Sequence, residues 1–382
     1  MAETRFRLAL AALAAALLLG CGAKQTVWQK VIDTGGDETA AAIAADKMHF
    51  YVGGTVQSPG SDRSSWLIQK VTKDGKEIWT RTYKDAPRSA CGDIAADQSG
   101  NLFVAGRAEV SGRQLCIVAR YGFDGSMVWQ KGLAIGDKSW GTGVCLLSGG
   151  RIAVSGVAGT DANTDHMVAV LDAGDGKTVW SRNYDICCTD IAQRIAANAK
   201  DELAVVGQFA NKENTDIIIM KLSPKGDTLW TRLYDSGGND TPGDIAFDPF
   251  GDILATGTAV VGDSTHCVIL EYDPAGGVIR KAAYGEQAQA TGNGIDVNAA
   301  SDIFITGKLL GKEHSDALVF QYQPNALSVW ERHYSPGGDA AGVDLVVPGD
   351  AFVAATVQGK TRDIAVFRFT RPLAKPEAPR GK

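Results

Sequence analysis

Histidine is scarce in this sequence, basic clusters are missing, and no apolar run is long enough to cross a bilayer comfortably. The five histidines, His49, His166, His266, His314 and His333, are scattered and never fall at metal-ligand spacing, which argues against an imidazole-based metal centre. Lys and Arg number 38 against 44 Asp and Glu, a net charge of -6 with no dense basic face, which argues against nucleic acid as a partner. There is no nucleophile elbow and no convincing Ser, His, Asp set. The longest apolar run, Leu8 to Leu19, is too short for a comfortable span, and nothing after it has helical periodicity.

What fills the chain is one unit of about fifty residues, repeated seven times. Its first marker is an aromatic strand: Trp28, Trp79, Trp129, Trp180, Trp230 and Trp330 keep one step, and Arg280 takes the missing place. Its second is a glycine closing a short apolar strand, at Gly54, Gly106, Gly156, Gly207, Gly257 and Gly307, with Ala355 as the seventh copy. Turn residues divide each copy into four short strands, A to D. In the copy near Gly243 these are Asp244–Phe247, Ile253–Thr256 before Gly257, Cys267–Tyr272 after a longer loop, and a strand around Arg280.

Seven such copies predict an all-β fold, a seven-bladed β-propeller with four antiparallel strands per blade. The chain opens on a lone D-type strand, Thr26 to Ile32, and closes after a C-type strand, Asp363 to Phe369. The N-terminal strand therefore completes the last blade and hides both terminal edges. The predicted domains are a signal peptide over 1–20, a tether over 21–25, the propeller over 26–370 and a disordered, basic, proline-rich tail over 371–382.

The start of the chain reads as an address, because Arg5 and Arg7 precede the apolar run. Leu18-Leu19-Gly20-Cys21 resembles the lipobox of bacterial lipoproteins, which implies cleavage before Cys21 and its acylation. Gly22 in place of aspartate implies, by the enterobacterial rule, the outer membrane; the periplasmic or surface side stays open. Cleavage removes Glu3, Arg5 and Arg7 and leaves 36 basic and 43 acidic residues, a charge of -7.

The segments Gly243 to Gly257 (GDIAFDPFGDILATG) and Asp216 to Tyr234 (DIIIMKLSPKGDTLWTRLY) resemble the bacterial seven-bladed propeller repeat family. Val168 to Trp180 (VAVLDAGDGKTVW) is similar to the tryptophan-docking strands of quinoprotein-type propellers. Both resemblances imply fold and leave activity open, since members of both families range from enzymes to scaffolds. Within the fold, the A–B and C–D turns share one face of the disc; the B–C and D–A loops, expected to be longer, share the other. Thr26 then starts on the plain face, which is expected to lie toward the membrane.

Cys116 and Cys267 share a strand-C position with Trp66, Met167, Ile217, Ala317 and Ile364 and read as buried thiols; Cys91 and Cys145 read as packing. Cys187 and Cys188 stand where other copies have Gly35-Gly36, Gly237-Gly238 and Gly337-Gly338, so a vicinal disulfide is sterically allowed. Together with Trp140, placed in a D–A loop, and His166, they are candidate contacts for a partner. Asp93, Arg194, Asp244 and Asp344 start strand A in their copies; they either ring the channel mouth as a binding or catalytic set or tie backbone amides nearby. Asp161, Asn163 and Asp165 have the alternating oxygen spacing of a calcium loop without its glycine or distal acid; no other cofactor is expected. A sialidase Asp-box fails, because Gly75, Gly176 and Gly226 lie four residues before the tryptophan, not three. These features point to a monomeric, lipid-anchored, non-enzymatic scaffold that meets another envelope protein through its loop face. Ligand binding or hydrolysis at the channel, and a quinoprotein-like redox module, are the alternatives.

Overall fold

Runs of Val, Ile, Leu and Ala, too short for helices and bounded by Asp, Pro and Gly turns, form the middle strands of every sheet and are buried on both sides. The computed structural model describes residues 26–370 except 161, 187–188, 212–213, 285–288 and 324–325. Cys21, the signal segment, the tail 371–382, Asp161, Cys187 and Cys188 lie outside the described residues.

After β1 (Thr26–Ile32), blade 1 is β2 (Asp37–Ala45), β3 (His49–Gln57), β4 (Ser64–Thr72) and β5 (Glu77–Thr82). Blade 2 is β6 (Ser89–Ala96), β7 (Leu102–Val110), β8 (Arg113–Tyr121) and β9 (Met127–Leu133). Blade 3 is β10 (Lys138–Leu147), β11 (Arg151–Gly159), β12 (Thr164–Asp172) and β13 (Thr178–Tyr184). Blade 4 is β14 (Thr189–Ala197), β15 (Leu203–Ala210), β16 (Thr215–Leu222) and β17 (Thr228–Tyr234). Blade 5 is β18 (Thr241–Phe247), β19 (Ile253–Val261), β20 (Ser264–Tyr272) and β21 (Val278–Tyr284). Blade 6 is β22 (Ala290–Val297), β23 (Ile303–Leu310), β24 (Ser315–Gln323) and β25 (Ala326–Tyr334). Blade 7 is β26 (Ala340–Val346), β27 (Ala351–Gln358) and β28 (Arg362–Phe369), completed by β1 paired antiparallel to β28.

Each A strand packs on the next, from β2 to β6 and round to β26, which returns to β2 and closes the ring. A single parallel bridge, Thr164 to Thr189, joins blades 3 and 4. The core lies between blades; Tyr51, Trp66, Ile94, Leu102 and Ile117 fill the seam between blades 1 and 2.

The two sequence markers are explained by contacts between neighbours. Five strand-D tryptophans donate the indole N–H to a carbonyl in the next blade's C–D turn: Trp28 to Lys73 at 3.0 Å, Trp79 to Phe123 at 3.1 Å, Trp129 to Ala173 at 3.1 Å, Trp180 to Pro224 at 3.2 Å and Trp230 to Pro274 at 3.1 Å. An arginine two residues on often adds a second pin; Arg81 Nε donates to Gly125 O at 2.8 Å and Arg232 Nε to Gly276 O at 2.6 Å. Where Arg280 replaces tryptophan, its guanidinium lies 5.4 Å from the Tyr322 ring of the next blade and 3.4 Å from Glu271. The strand-B glycine sits beneath a strand-A carbonyl: a Cβ on Gly54 would lie 2.5 Å from Thr39 O, and on Gly257 2.5 Å from Thr241 O.

Gly125 is held at φ +76° with the Trp79 ring 2.8 Å from where a Cβ would stand. Gly125→Ala is therefore expected to cost about 2–4 kcal/mol, combining left-handed backbone strain with a wedge between blades. Gly60, at φ +64° with nothing near a Cβ, meets only the backbone term, and Gly60→Ala should cost about 1–2 kcal/mol. Urea unfolding of both variants measures the difference, and equal losses would remove the docking contact from the account.

Two expectations about the strands need correction. In blade 5 the ladder continues through Thr258 to Val261 and Ser264 to His266, so the B–C connection is the tight turn 262–263 and not a longer loop. Across the described blades the B–C and D–A connections are no longer as a class than the A–B and C–D turns, so length does not mark one face as variable. The polar residues Ser264, Thr265 and His266 resembled a loop because the backbone ladder outlasts the apolar core.

Candidate functional site

A recurrent β-bulge shapes the channel. In each strand A the register slips by one residue opposite the strand-B marker, as between Cys91 and Asp93, Ala192 and Arg194, and Gly342 and Asp344. The residue after the slip is Ala42, Asp93, Gly143, Arg194, Gly294 or Asp344, and in blade 5 Asp244 lies within the slip between Pro242 and Ile245. The four charged members of the expected set thus converge on one cavity at the centre of the ring.

Asp93, Arg194 and Asp344 are buried and Asp244 is half-buried, and all four are engaged with backbone. Asp93 accepts from Ile94 N and, in the next blade, from Val144 N, both at 2.8 Å. Asp244 accepts from Ile245 N at 2.8 Å and from Ile295 N at 3.0 Å. Asp344 accepts from Leu345 N and, across the closure of the ring, from Ile43 N, both at 2.8 Å. Arg194 reads the bulges themselves: it donates to Thr142 O at 2.7 Å, Ala41 O at 2.8 Å and Gly92 O at 3.2 Å, tying four blades. The amides lie in the adjoining strand A, so the carboxylates clasp neighbouring blades and not adjacent loops.

Asp296 was not among the expected residues. It belongs to the same device, accepting from Val297 N at 2.9 Å and Val347 N at 2.7 Å. It stands where other copies have Ala44, Ala95, Ala196, Ala246 and Val346, so a charged residue in an otherwise small or apolar column was the available signal. Burial pushes Asp244 and Asp296 each up to about 6, against the opposing guanidinium in the case of Asp244. Burial raises Asp93, with Arg194 opposing; burial and then Asp244 raise Asp344. Burial works against the charge of Arg194, yet Asp93, Asp244 and Asp344 outweigh it and raise its pKa.

The remaining candidates are not brought to this site. Trp140 lies in β10, paired with Val157, half-buried with Lys138 Nζ 6.0 Å from its ring centroid; the ladder begins earlier than its polar lead-in suggests. His166 is 0 % exposed, its Nε2 3.3 Å from Gln208 O, and burial pushes it down to about 4, so it offers nothing to a partner at the surface. Asn163 sits in the turn before β12 and Asp165 in the ladder opposite Ala158, while Asp161, the third member of the expected calcium loop, lies outside the described residues. Cys91, Cys116 and Cys267 are buried free thiols, as packing predicts, and burial pushes Cys116 and Cys267 up to about 12. Cys145 is also a free thiol and lines the channel beside Arg194.

No family model matches the chain, and no curated protein matches it. Solved structures do. An ulvan lyase from a polysaccharide lyase family is 11 % identical with a TM-score of 0.59, covering 89 % of this chain and 96 % of that one. The WD40 domain of Neurospora crassa Pan2 is 9 % identical with a TM-score of 0.58, covering 91 % and 97 %. The β-propeller domain of the trilobed protease from Pyrococcus furiosus is 8 % identical with a TM-score of 0.51, covering 87 % and 93 %. At these identities the likeness is one of fold, and this chain is a β-propeller.

Proposed function

We propose that the protein is a monomeric scaffold of the bacterial cell envelope, related to the seven-bladed repeat lipoproteins, anchored through acylated Cys21 and probing another envelope protein with its B–C and D–A face. The observation that carries this reading is the use of the channel charges. Asp93, Arg194, Asp244 and Asp344 spend their hydrogen bonds on the amides and carbonyls of adjoining blades, which makes a rigid platform. Thr26 pairs with Phe369, so the described chain begins on the face opposite the proposed contact surface, which suits a lipid anchor on that side, and the outer membrane is the proposed site.

Photocrosslinking in living cells tests the reading. A photoreactive residue at Trp140, or at Val261, which is 51 % exposed on the B–C turn of blade 5, should yield a discrete envelope-protein adduct. One at Phe250, 80 % exposed on the opposite face, should not. Equal adducts from all three, or none, would overturn it.

One observation favours a second reading, ligand binding or hydrolysis at the channel: Asp244 and Asp296 are held near 6, a range suited to proton transfer. Turnover of a sugar or lactone panel that is lost in Asp244→Asn would establish it over the scaffold.

A further inference from the structure

The position ten residues after each docking tryptophan has a modest structural task. In blades 2 and 3 a serine performs it: Ser89 Oγ accepts from Trp66 N at 3.2 Å, and Ser139 Oγ accepts from Cys116 N at 3.1 Å. Blades 6 and 7 have Ala290 and Ala340 there. The fold therefore does not require a charge at this place, yet three copies carry a carboxylate, Glu38, Asp190 and Asp240, and two of these, Glu38 and Asp240, stand in the similar runs Asp33-Thr34-Gly35-Gly36-Asp37-Glu38 and Asp235-Ser236-Gly237-Gly238-Asn239-Asp240.

In both copies the loop holds that carboxylate, and two more carboxylates join it. Glu38 Oε1 accepts from Thr34 N at 3.1 Å and Gly36 N at 3.2 Å; Asp240 Oδ2 accepts from Ser236 N at 2.8 Å. The second acid follows strand D, as Asp33 or Asp235, and the third comes from strand C, as Asp363 or Asp216. In each triad one oxygen from every member lies within 4.8 Å of the other two.

Each triad also contains a buried side chain with an oxygen that no donor reaches. Glu38 is 0 % exposed and its Oε2 has no hydrogen-bond partner; Asp216 is 1 % exposed and its Oδ1 has none, while its Oδ2 accepts from Asn211 Nδ2 at 2.9 Å. A buried carboxylate oxygen left bare among like charges is costly unless a proton or a cation joins it. Burial, then Asp235 and more weakly Asp240, push the Asp216 carboxyl up, and burial, Asp33 and Glu38 do the same to Asp363.

We propose that these triads are two divalent-cation sites, one formed by Asp216, Asp235 and Asp240 and the other by Asp33, Glu38 and Asp363, and that calcium is their ion. Oxygen-only, triply anionic ligation without histidine or cysteine suits a hard cation, and calcium accepts the irregular geometry and added waters that a loop-and-strand site provides. In a further similar copy Asp185 and Asp190 keep the first two places but buried His166 holds the third, so among the described residues the repeat supplies two complete sites. Both sites lie on the B–C and D–A face, between blades 4 and 5 and between blades 7 and 1, and they do not depend on what that face binds.

The test is a calcium titration of the full chain after treatment with a chelator, followed by calorimetry and thermal unfolding. Two equivalents should bind, with dissociation constants of about 10⁻⁶ to 10⁻³ M, and saturation should raise Tm by about 2 °C or more. The double variant Asp216→Asn/Asp235→Asn should bind one equivalent, and Asp33→Asn/Asp363→Asn should bind the other. The equivalent that each variant keeps reports that it is folded. Absence of binding to the unmodified chain at millimolar calcium, or two equivalents retained by either double variant, would overturn the proposal.

Discussion

Arg194→Met should lower stability by about 3–5 kcal/mol at neutral pH, the scale for leaving buried charges without their partner. Methionine fills much of the volume, so the loss would come from the freed carbonyls of Ala41, Gly92 and Thr142 and from Asp93, Asp244 and Asp344 facing one another without a cation. The deficit should depend on pH in a definite direction. Asp244 and Asp296 are raised from 3.8 to about 6 in the folded protein, so their contribution is fully present below pH 3.8 and is lost as pH rises through about 6. Asp46, Asp201 and Glu202 are lowered on folding, and their contribution is lost when pH falls below their ordinary range. Stability of the unmodified protein should therefore be highest near about pH 4 and fall as pH rises through about 6, and the Arg194→Met deficit should shrink toward low pH as the channel carboxyls take up protons. Urea unfolding at pH 5, 7 and 8 measures both effects; a deficit under about 1 kcal/mol at every pH would mean that the guanidinium does not balance the ring.

The parts of the architecture visible in the sequence are those in which one residue type does one job per blade. Trp79 and Trp230 recur because the indole of strand D needs a carbonyl in the next blade, and Gly54 and Gly257 because a strand-A carbonyl lies over them. Closure by Thr26 to Ile32 was legible for the same reason, as a D strand without the rest of its blade. The bulge left no such mark. It inserts a residue where Cys91, Gly92 and Asp93, or Ala192, Gln193 and Arg194, look like uninterrupted strand, so counting by twos does not tell which side chain faces the channel.

In the sequence Trp140 reads as loop and His166 as contact surface because strand ends are held by backbone pairing that leaves no pattern in side chains. The charges at Asp93, Asp244 and Asp344 were legible as a set, but their partners were not: Asp93 and Asp244 each reach an amide 51 residues further on, and Asp344 reaches Ile43, 301 residues back, only because the ring closes. The acidic triads follow the same rule. Asp33 and Glu38 are near neighbours in sequence, whereas Asp363 joins them only because the last blade borrows the first strand.

That borrowed strand should be the most sensitive element of the fold. Removing residues 26–32 deletes the ladder that runs from Thr26 with Phe369 to Ile32 with Ile364, and with it the buried Ile32 and the Trp28 dock on Lys73. The two side chains alone represent more than about 5 kcal/mol of packing, comparable with the whole stability of many domains. The stripped β28 would present an apolar edge, with Ile364 and Val366 no longer covered, and should pair with another copy. Light scattering after gel filtration should show oligomers, and thermal unfolding should lose its single cooperative transition. Trp28→Ala, which keeps the ladder and loses only the dock, should remain monomeric at reduced Tm. A peptide of residues 26–32 added in trans should restore the monomer, since backbone pairing to an open edge supplies most of what the deletion removes. A truncated chain that stays monomeric with an unchanged Tm would show that the ring holds without its closing strand.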